Sequence, residues 1–191
     1  MPNADPAQIT LLLLDVDGCL TDGSVNLDAT GNETKRFSVK DGLGIRAWTA
    51  LGNDIAIVTG RTSGSLGARA RELGIDRLHQ SVRDKAATAL DIMADLGREP
   101  SQTAAMGDDW NDLPMLSVVG YPACPADASA AVRDASTFVA TCVGGHGAVR
   151  ELIEHLLTAQ GRLDEAIARY TDPDSRTQAG AAGSLGDGTM H

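Results

Sequence analysis

The sequence predicts an α/β fold with three layers, in which helices cover both faces of a mostly parallel sheet. Short segments made almost entirely of apolar residues recur along the chain, for example residues 9–14 and 55–58, and such segments are typical of strands buried on both faces. Segments with the apolar spacing of a helix separate them. Strands and helices that alternate at this length require crossover connections, which give a parallel, Rossmann-like arrangement.

The individual elements follow from this pattern. Strands are expected at residues 9–14, 55–58, 77–80, 104–106, 119–121 and 138–140, and helices at residues 41–51, 63–73, 84–96, 111–117, 129–134 and 148–157. Two short alternating segments, 25–27 and 36–39, flank a turn rich in Asp, Gly and Asn and predict a protruding β-hairpin. Because only the hairpin and single helices fit between the strands, no cap domain is expected.

Length and composition limit the domain organisation. A chain of 191 residues, of which 42% are hydrophobic, is sufficient for one domain with a sizeable core, and we expect this domain to span residues 9–170. Residues 1–8 are expected to form a disordered leader. Residues 171–191 are rich in Gly, Ser, Thr, Asp and Ala, and this composition predicts a disordered tail.

Charge, hydropathy and cysteine spacing exclude several classes of function. The 16 Lys and Arg residues face 26 Asp and Glu residues, giving a net charge of -10, which excludes nucleic acid as a partner bound through its phosphates. No apolar run reaches the length of a membrane span and no signal segment is visible, so we expect no membrane partner and a cytoplasmic location. Cys19, Cys124 and Cys142 lack CxxC spacing and are expected to be free, buried residues rather than disulfide or zinc ligands.

Polar residues follow each of the three central strands. The first strand is followed by residues 15–18 (DVDG), the second by residues 59–61 (TGR) and the third by residues 107–112 (GDDWND). Because ligands bind at the carboxyl ends of parallel strands, these residues are expected at one site. Three or more carboxylates close together repel one another unless a cation is bound. Oxygen ligands without nearby His or Cys favour a hard ion, so the expected cofactor is Mg2+.

The residue types at this edge indicate phosphoryl transfer. A carboxylate such as that of Asp15 can attack phosphorus and form an aspartyl-phosphate, while Asp17 can protonate the departing oxygen. A glycine at position 18 permits the turn that brings Asp17 towards the leaving group. The phosphoryl group also needs cationic and N–H partners, for which the candidates are Gly18, Thr59, Gly60 and Lys85. Each residue alone has an ordinary structural explanation, but their order and location together argue against coincidence.

These segments resemble a known family. Residues 13–21, residues 57–61, Lys85 and residues 106–114 are similar to the four motifs of the haloacid dehalogenase superfamily of phosphatases, over about residues 9–158. Further similarity to the capless branch, which contains 3-deoxy-D-manno-octulosonate 8-phosphate phosphatases and acylneuraminate 9-phosphate phosphatases, is found at residues 22–23, 37–44 and 144–151. The resemblance implies Mg2+-dependent hydrolysis of a sugar-acid phosphate.

The resemblance also implies site residues and an assembly. The metal ligands would be Asp15, the main-chain carbonyl of Asp17 and Asp108, with Asp112 supporting the site from behind. A capless site lies open, and the family closes it by packing four subunits, so we expect a homotetramer in which residues 25–39 contribute to an interface. The alternative is a hairpin that merely extends the edge of its own sheet.

Three positions depart from the family pattern. Lys40 stands where the octulosonate phosphatases have Arg, and His146 stands where they have the Arg of Gly-Gly-Arg-Gly. Both are candidate contacts for a sugar carboxylate. Neither side chain offers the planar fork of Arg, which indicates weaker or different recognition. The third departure is Trp110, in place of Leu, where a bulky ring either narrows the entrance or packs.

Several functions are therefore compared. The leading hypothesis is a phosphatase acting on 3-deoxy-D-manno-octulosonate 8-phosphate or a similar compound. An acylneuraminate 9-phosphate phosphatase and a phosphatase of broad sugar specificity share its chemistry. A receiver-like signalling module also combines acidic residues, Thr and Lys on a parallel sheet, but its acidic residues precede its Lys. In this chain residues 108–112 follow Lys85, which favours the phosphatase.

Overall fold

A computed structural model describes residues 4–171 of the chain. The strands are β1 (Leu11–Leu14), β2 (Asn26–Leu27), β3 (Glu33–Thr34), β4 (Asp54–Val58), β5 (Leu78–His79), β6 (Thr103–Met106), β7 (Tyr121–Cys124) and β8 (Phe138–Val139). Six of them form a sheet in the order β5-β4-β1-β6-β7-β8, in which every neighbouring pair is parallel. The remaining two, β2 and β3, pair antiparallel as a separate hairpin. This arrangement confirms the predicted α/β class, and the described residues contain no cap domain.

Helices cover both faces of the sheet. They are α1 (Val39–Ala50), α2 (Gly64–Leu73), α3 (Lys85–Leu96), α4 (Leu113–Val118), α5 (Ala130–Ala135), α6 (Ala148–Ala159) and α7 (Leu163–Thr171). One hydrophobic core contains side chains of α1, α2, α6 and α7, and the other contains side chains of α3, α4 and α5. The three predicted layers are therefore confirmed. Within the described range, no helix has the length and hydrophobicity that crossing a bilayer requires.

The central strand β1 determines where the polar residues meet. Its four leucines are fully buried and alternate between the two cores, as expected for a strand covered on both faces. It lies between β4 and β6, and Leu14 is level with Ile57 on one side and Met106 on the other. The residues that follow these three strands consequently emerge together at one edge. The order of the strands reverses at β1, which is where open α/β sheets bind ligands.

The hairpin differs from its prediction. Its second strand was expected at residues 36–39, but β3 ends at Thr34. Ser38 instead caps α1, because its Oγ accepts the main-chain N–H of Asp41 at 3.3 Å. Serine is a strong helix N-cap, and this local preference outweighs a short alternating pattern. The hairpin does not join the six-stranded sheet, so the alternative in which it extends the sheet edge is wrong.

Two further elements were misjudged. The strand expected at residues 119–121 begins only at Tyr121, because α4 continues to Val118 and the N–H of Gly120 is bound to the oxygen of Pro100 at 2.8 Å. Helix α7 was not predicted. It follows α6 after a turn at Gly161, whose φ of +67° is readily adopted by glycine.

The ends of the chain are described in part. Residues 4–8 are ordered rather than part of a disordered leader, since Pro6–Gln8 form a 3-10 turn capped by Asp5. The N–H of Ala4 is also bound to the oxygen of Gly120 at 2.9 Å. The prediction of disorder is therefore wrong for these residues. Residues 1–3 and 172–191 lie outside the described residues, so a disordered tail stays a prediction.

Candidate active site

The loop after β1 carries the first acidic residue. Asp15 is 3% exposed, and its main-chain N–H is bound to the oxygen of Met106 at 3.0 Å. The oxygen of Val16 then accepts the N–H groups of Cys19, Leu20 and Thr21 at 2.9–3.2 Å, which closes a tight turn. We call residues 16–22, which directly follow Asp15, the nucleophile loop, after the role proposed for Asp15 below. Gly18 within it has a φ of +96°, a conformation that favours glycine.

Lys85 connects two carboxylates below this loop. It is the first residue of α3 and is 4% exposed. Its Nζ donates to Oδ1 of Asp15 at 2.6 Å and to Oδ1 of Asp112. The other oxygen of Asp112 accepts the N–H groups of Asp108 and Asp109 at 3.0 and 3.3 Å. Asp112 therefore holds both the lysine and the loop after β6.

Asp108 lies directly against the nucleophile loop. A Cβ added at Gly18 would overlap its carboxylate, so glycine is required there for close approach as well as for conformation. The carboxylates of Asp15 and Asp108 and the thiol of Cys19 lie within 4.8 Å of one another. Cys19 is buried and free, as expected, whereas Cys142 is only partly buried. The structure thus brings together the predicted residues Asp15, Gly18, Lys85, Asp108 and Asp112.

The carboxyl groups of this cluster outnumber its ammonium group. Burial, with added repulsion from Asp112, raises the pKa of Asp15 to about 7 despite its contact with Lys85. Burial and repulsion from Asp15 and Asp112 raise the pKa of Asp108 to about 8. For Lys85, burial opposes the charged form, but attraction by its two carboxylate partners outweighs it and raises the pKa. Three carboxyl groups thus share one ammonium group, and among the described residues no ion pair includes Asp108.

These donors fit a magnesium ion. Asp15 and Asp108 offer oxygen atoms, which Mg2+ prefers, and a divalent cation would relieve the repulsion that raises their pKa values. The third neighbour, Cys19, does not suit this ion. Burial raises the pKa of its thiol well above the usual value, with the acidic neighbours adding to the effect, so the thiol stays protonated and is a poor ligand.

Asp17 belongs to a second group of charges at the rim of the site. Its carboxylate pairs with Nζ of Lys35 and lies 3.7 Å from Nε of Arg61. Glu33 accepts a hydrogen bond from Arg61 at 2.6 Å and lies 3.5 Å from Nζ of Lys35. We call these four residues the rim network. Sequence reasoning missed Lys35 and Glu33. It placed Arg61 at this edge, directly after the Thr-Gly pair, but assigned it no role.

The second strand end contributes Thr59 and Gly60. Thr59 is 2% exposed, its N–H is bound to the oxygen of His79 at 3.0 Å, and its Oγ1 accepts the N–H of Arg61 at 3.3 Å. Because β4 runs parallel to β1 in register, Thr59 and Gly60 emerge at the same edge as Asp15. The structure therefore agrees with their predicted location.

Lys40 and His146 lie in a separate groove. They line a cavity of about 380 Å³ together with Cys142 and Arg150. The acidic cluster, formed by Asp15, Asp108 and Asp112 around Lys85, does not line it. His146 is held in place by Nδ1, which lies 2.9 Å from the oxygen of Gly144, while its Nε2 lies 3.4 Å from Arg36. The structure thus groups these two residues with each other rather than with Asp15. Trp110, elsewhere on the surface, is 72% exposed, so its ring does not pack in the core.

Comparisons with known proteins agree with this geometry. The family model for haloacid dehalogenase-like hydrolases matches residues 78–152. The 3-deoxy-D-manno-octulosonate 8-phosphate phosphatase KdsC of Escherichia coli strain K12 is 40% identical over 163 residues, which cover 85% of this chain and 87% of that protein.

Solved structures give the same result. The phosphatase of this name from Yersinia pestis superposes with a TM-score of 0.82 at 39% identity, covering 84% of this chain and 86% of the other. The one from Moraxella catarrhalis, in complex with a magnesium ion, a phosphate ion and a KDO molecule, gives a TM-score of 0.84 at 38% identity and covers 87% and 95% of the two chains. This chain therefore belongs to the haloacid dehalogenase-like hydrolases, within the branch of the 3-deoxy-D-manno-octulosonate 8-phosphate phosphatases.

Proposed function

We propose that this chain is a phosphatase that hydrolyses 3-deoxy-D-manno-octulosonate 8-phosphate. The observation that carries the proposal is the buried contact of Lys85 with Asp15 and Asp112 beside Asp108, in a chain that is 40% identical to octulosonate phosphatases over most of its length. Such a cluster suits a carboxylate nucleophile that must be kept in place and close to a cation.

Asp15 is the proposed nucleophile. One oxygen of its carboxylate attacks phosphorus, the bond from phosphorus to the ester oxygen breaks, and an aspartyl-phosphate forms. In its protonated form, released from its ion pairs with Lys35 and Arg61, Asp17 donates a proton to the departing sugar oxygen. It then takes a proton from the water that hydrolyses the aspartyl-phosphate. Lys85 orients Asp15 through the 2.6 Å hydrogen bond. The cycle restores both carboxyl groups to their starting states.

The magnesium ion would be held by the carboxylates of Asp15 and Asp108 and the main-chain oxygen of Asp17. When bound, it supplies positive charge to the phosphoryl oxygens and keeps Asp15 ionised. The remaining phosphoryl partners proposed in this chain are its own hydrogen-bond donors: the Thr59 hydroxyl, the N–H groups of Gly60 and Gly18, and the Lys85 ammonium.

The carboxylate of the sugar needs a cationic partner in the protein. We propose that Lys40 and His146 meet the sugar carboxylate. They share a groove, and His146 directly follows Gly144 and Gly145, which pack against the nucleophile loop. Acylneuraminate 9-phosphate and a range of sugar phosphates are the competing substrates, and the names of the relatives favour the octulosonate. The comparisons give no support to a receiver-like module.

We further propose that the enzyme works in the cytoplasm as a homotetramer. The hairpin exposes Val25 and Leu27, which are 49% and 62% exposed, and burial of such side chains favours subunit contact. In a tetramer the hairpin of one subunit would cover the open site of a neighbour and exclude water from it.

A comparison of substrates tests the proposed function. Phosphate release would be measured with octulosonate 8-phosphate, acylneuraminate 9-phosphate and an aryl phosphate, each with Mg2+ and with a chelator. We expect kcat/KM for the octulosonate ester to exceed the others by about tenfold or more, and all rates to vanish with chelator. Asp15→Asn is the control for a contaminating phosphatase. Equal kcat/KM values would support broad specificity instead, and a chelator-resistant rate would contradict the metal assignment.

A further inference from the structure

Asp41 is a buried carboxylate that the proposed chemistry does not use. It lies in the first turn of α1 and is 1% exposed. Its Oδ1 accepts the N–H of Arg150 at 2.8 Å and its Oδ2 accepts the N–H of Gly147 at 3.2 Å. Both donors belong to the start of α6, more than 100 residues away along the chain. Asp41 therefore caps a helix other than its own.

The start of α6 needs such an external cap. Its N-cap residue is Gly147, which has no side chain to accept the free N–H groups. Gly147 has a φ of +113°. This conformation disfavours Ser, Thr and Asp, the usual N-cap residues, because their backbone is extended when they cap a helix. A carboxylate from α1 supplies both the hydrogen bonds and the negative charge that the helix N-terminus favours.

The segment held in this way touches the proposed active site. We call residues 144–147 the glycine loop. A Cβ added at Gly144 would overlap the main-chain oxygen of Gly18, and one added at Gly145 would lie 2.6 Å from the carbonyl carbon of Thr21. The N–H of Gly145 is also bound to the oxygen of Cys19 at 2.9 Å. The two loops pack backbone against backbone, so a shift of one displaces the other.

We infer that Asp41 is a positioning residue, which fixes the nucleophile loop by clamping the glycine loop against it. The inference rests on the proposed function, because the nucleophile loop carries Asp17 and the main chain of Gly18. A displacement of a few tenths of an ångström there misaligns the proton donor with the leaving oxygen. The side chain of Asp41 contacts neither group and acts only through the two loops.

The test compares Asp41→Asn with Asp54→Asn. Asp54 is the first residue of β4, at the end of the strands opposite to the site. Its Oδ2 accepts hydrogen bonds from Nε and Nη2 of Arg98 at 3.1 and 2.8 Å. Each substitution thus replaces a carboxylate that accepts two N–H donors by an amide, but only one of the two lies near the glycine loop. Hydrogen–deuterium exchange of residues 16–22 and 144–150 is measured without substrate, and kcat and KM are measured with it.

For Asp41→Asn we expect faster exchange in both segments, kcat lower by about tenfold and KM changed by less than about threefold, as a loss of alignment predicts. For Asp54→Asn we expect neither effect, and a smaller loss of thermal stability, because its ion pair with Arg98 is partly exposed to solvent. Faster exchange confined to residues 144–150, with kcat unchanged, would overturn the inference. If Asp41→Asn does not fold, Asp41→Glu, which keeps the charge and moves the carboxylate by one methylene, should show the same pattern. Should the unaltered chain release no phosphate, the proposed function fails, while the exchange of residues 16–22 still decides whether the loops are coupled.

Discussion

The proposed active site contains two groups of charges that differ in balance. In the acidic cluster, Asp15, Asp108 and Asp112 face Lys85 alone. In the rim network, the carboxylates of Asp17 and Glu33 face two cations, Lys35 and Arg61. The first group needs an added cation to become neutral. The second group is already neutral, and must release its cations before they can meet an anionic substrate.

Burial adds to this difference. The side chains of Lys85 and Asp112 are 3% and 0% exposed, whereas those of Arg61 and Asp17 in the rim network are 48% and 21% exposed. Lys35 is itself buried, at 2%, but both of its carboxylate partners are partly exposed. Breaking a buried ion pair leaves a charge that water cannot reach and costs about 3–5 kcal/mol, while an exposed pair contributes about 1 kcal/mol or less. We therefore expect the acidic cluster to be rigid and the rim network to rearrange when substrate binds.

The largest effect is expected for Asp15→Asn. An amide cannot form the aspartyl-phosphate, so kcat should fall by about four orders of magnitude or more. Phosphate release measures the loss, and the melting temperature and circular dichroism check that the fold is retained. Residual activity above about 1% of the original rate would mean that another group attacks phosphorus.

The next effect contrasts the two lysines. Lys85→Met leaves the carboxylates of Asp15 and Asp112 buried and unpaired, which should lower the free energy of unfolding by about 3–5 kcal/mol and kcat by about a hundredfold or more. Lys35→Met is the control. The side chain of Lys35 is as buried as that of Lys85, at 2% exposed, but its partners Asp17 and Glu33 are 21% and 14% exposed. Because water can reach the carboxylates that this substitution leaves unpaired, it should cost less, about 1–2 kcal/mol. Urea denaturation and steady-state kinetics measure both. If the two substitutions lower the free energy of unfolding equally, the acidic cluster and the rim network do not differ in the cost of losing their lysine.

The acidic cluster was predictable from the sequence because its residues depend on strand ends. Asp15, Thr59 and Asp108 each follow a short apolar segment, and a parallel sheet brings such ends to one edge. Lys85 does not follow a buried strand, so no local pattern marks it as a site residue. It could be predicted only because it lies between the second and the last motif in the order that the family shows. The physical reason is that the sheet fixes where strands end independently of the loops between them.

The rim network and the Asp41 cap were not predictable in this way. Lys35 and Glu33 reach Asp17 and Arg61 only because the hairpin folds back over the nucleophile loop, and two-residue strands carry no pattern that specifies this direction. Assigning residues 36–39 to a strand also obscured the cap at Ser38. In the sequence, Asp41 resembles an ordinary acidic residue in the first turn of its own helix. Its hydrogen-bond donors lie at the start of α6, and no local sequence pattern connects the two helices.

The excess of negative charge in the acidic cluster predicts that the stability of the metal-free protein depends on pH. The pKa values of Asp15 and Asp108, about 7 and about 8, lie above those of an unfolded chain, so the folded state binds more protons. Stability without metal is then full below about pH 4 for these two groups and is lost as the pH rises through about 7–8. With chelator, the melting temperature should be lower at about pH 8 than at about pH 5.5, by a few degrees.

Two additions identify the source of this slope. Mg2+ should remove most of it, because the ion stabilises the charged carboxylates, and Asp108→Asn should flatten it without metal, because one titrating group is gone. A metal-free melting temperature that rises between these pH values, or a slope that Asp108→Asn leaves intact, would show that the cluster is compensated by other groups. The hydrogen bond from Arg61 lowers the pKa of Glu33, so this rim carboxylate stays ionised across the range and adds no slope.

The smallest effect is expected for Glu33→Gln, which unbalances the rim network towards positive charge. Glu33 holds Arg61 at 2.6 Å, and a neutral amide leaves Arg61 and Lys35 freer to meet a phosphate dianion. KM should fall by about two- to threefold with kcat little changed, a small gain because solvent screens a guanidinium that is half exposed. Added salt should reduce the gain further. Glu165→Gln, which removes the exposed partner of Arg162 on α7, is the control and should leave KM unchanged. A higher KM would mean that Glu33 holds the hairpin in its productive position, so that its ion pair with Arg61 aids substrate binding rather than competing with it.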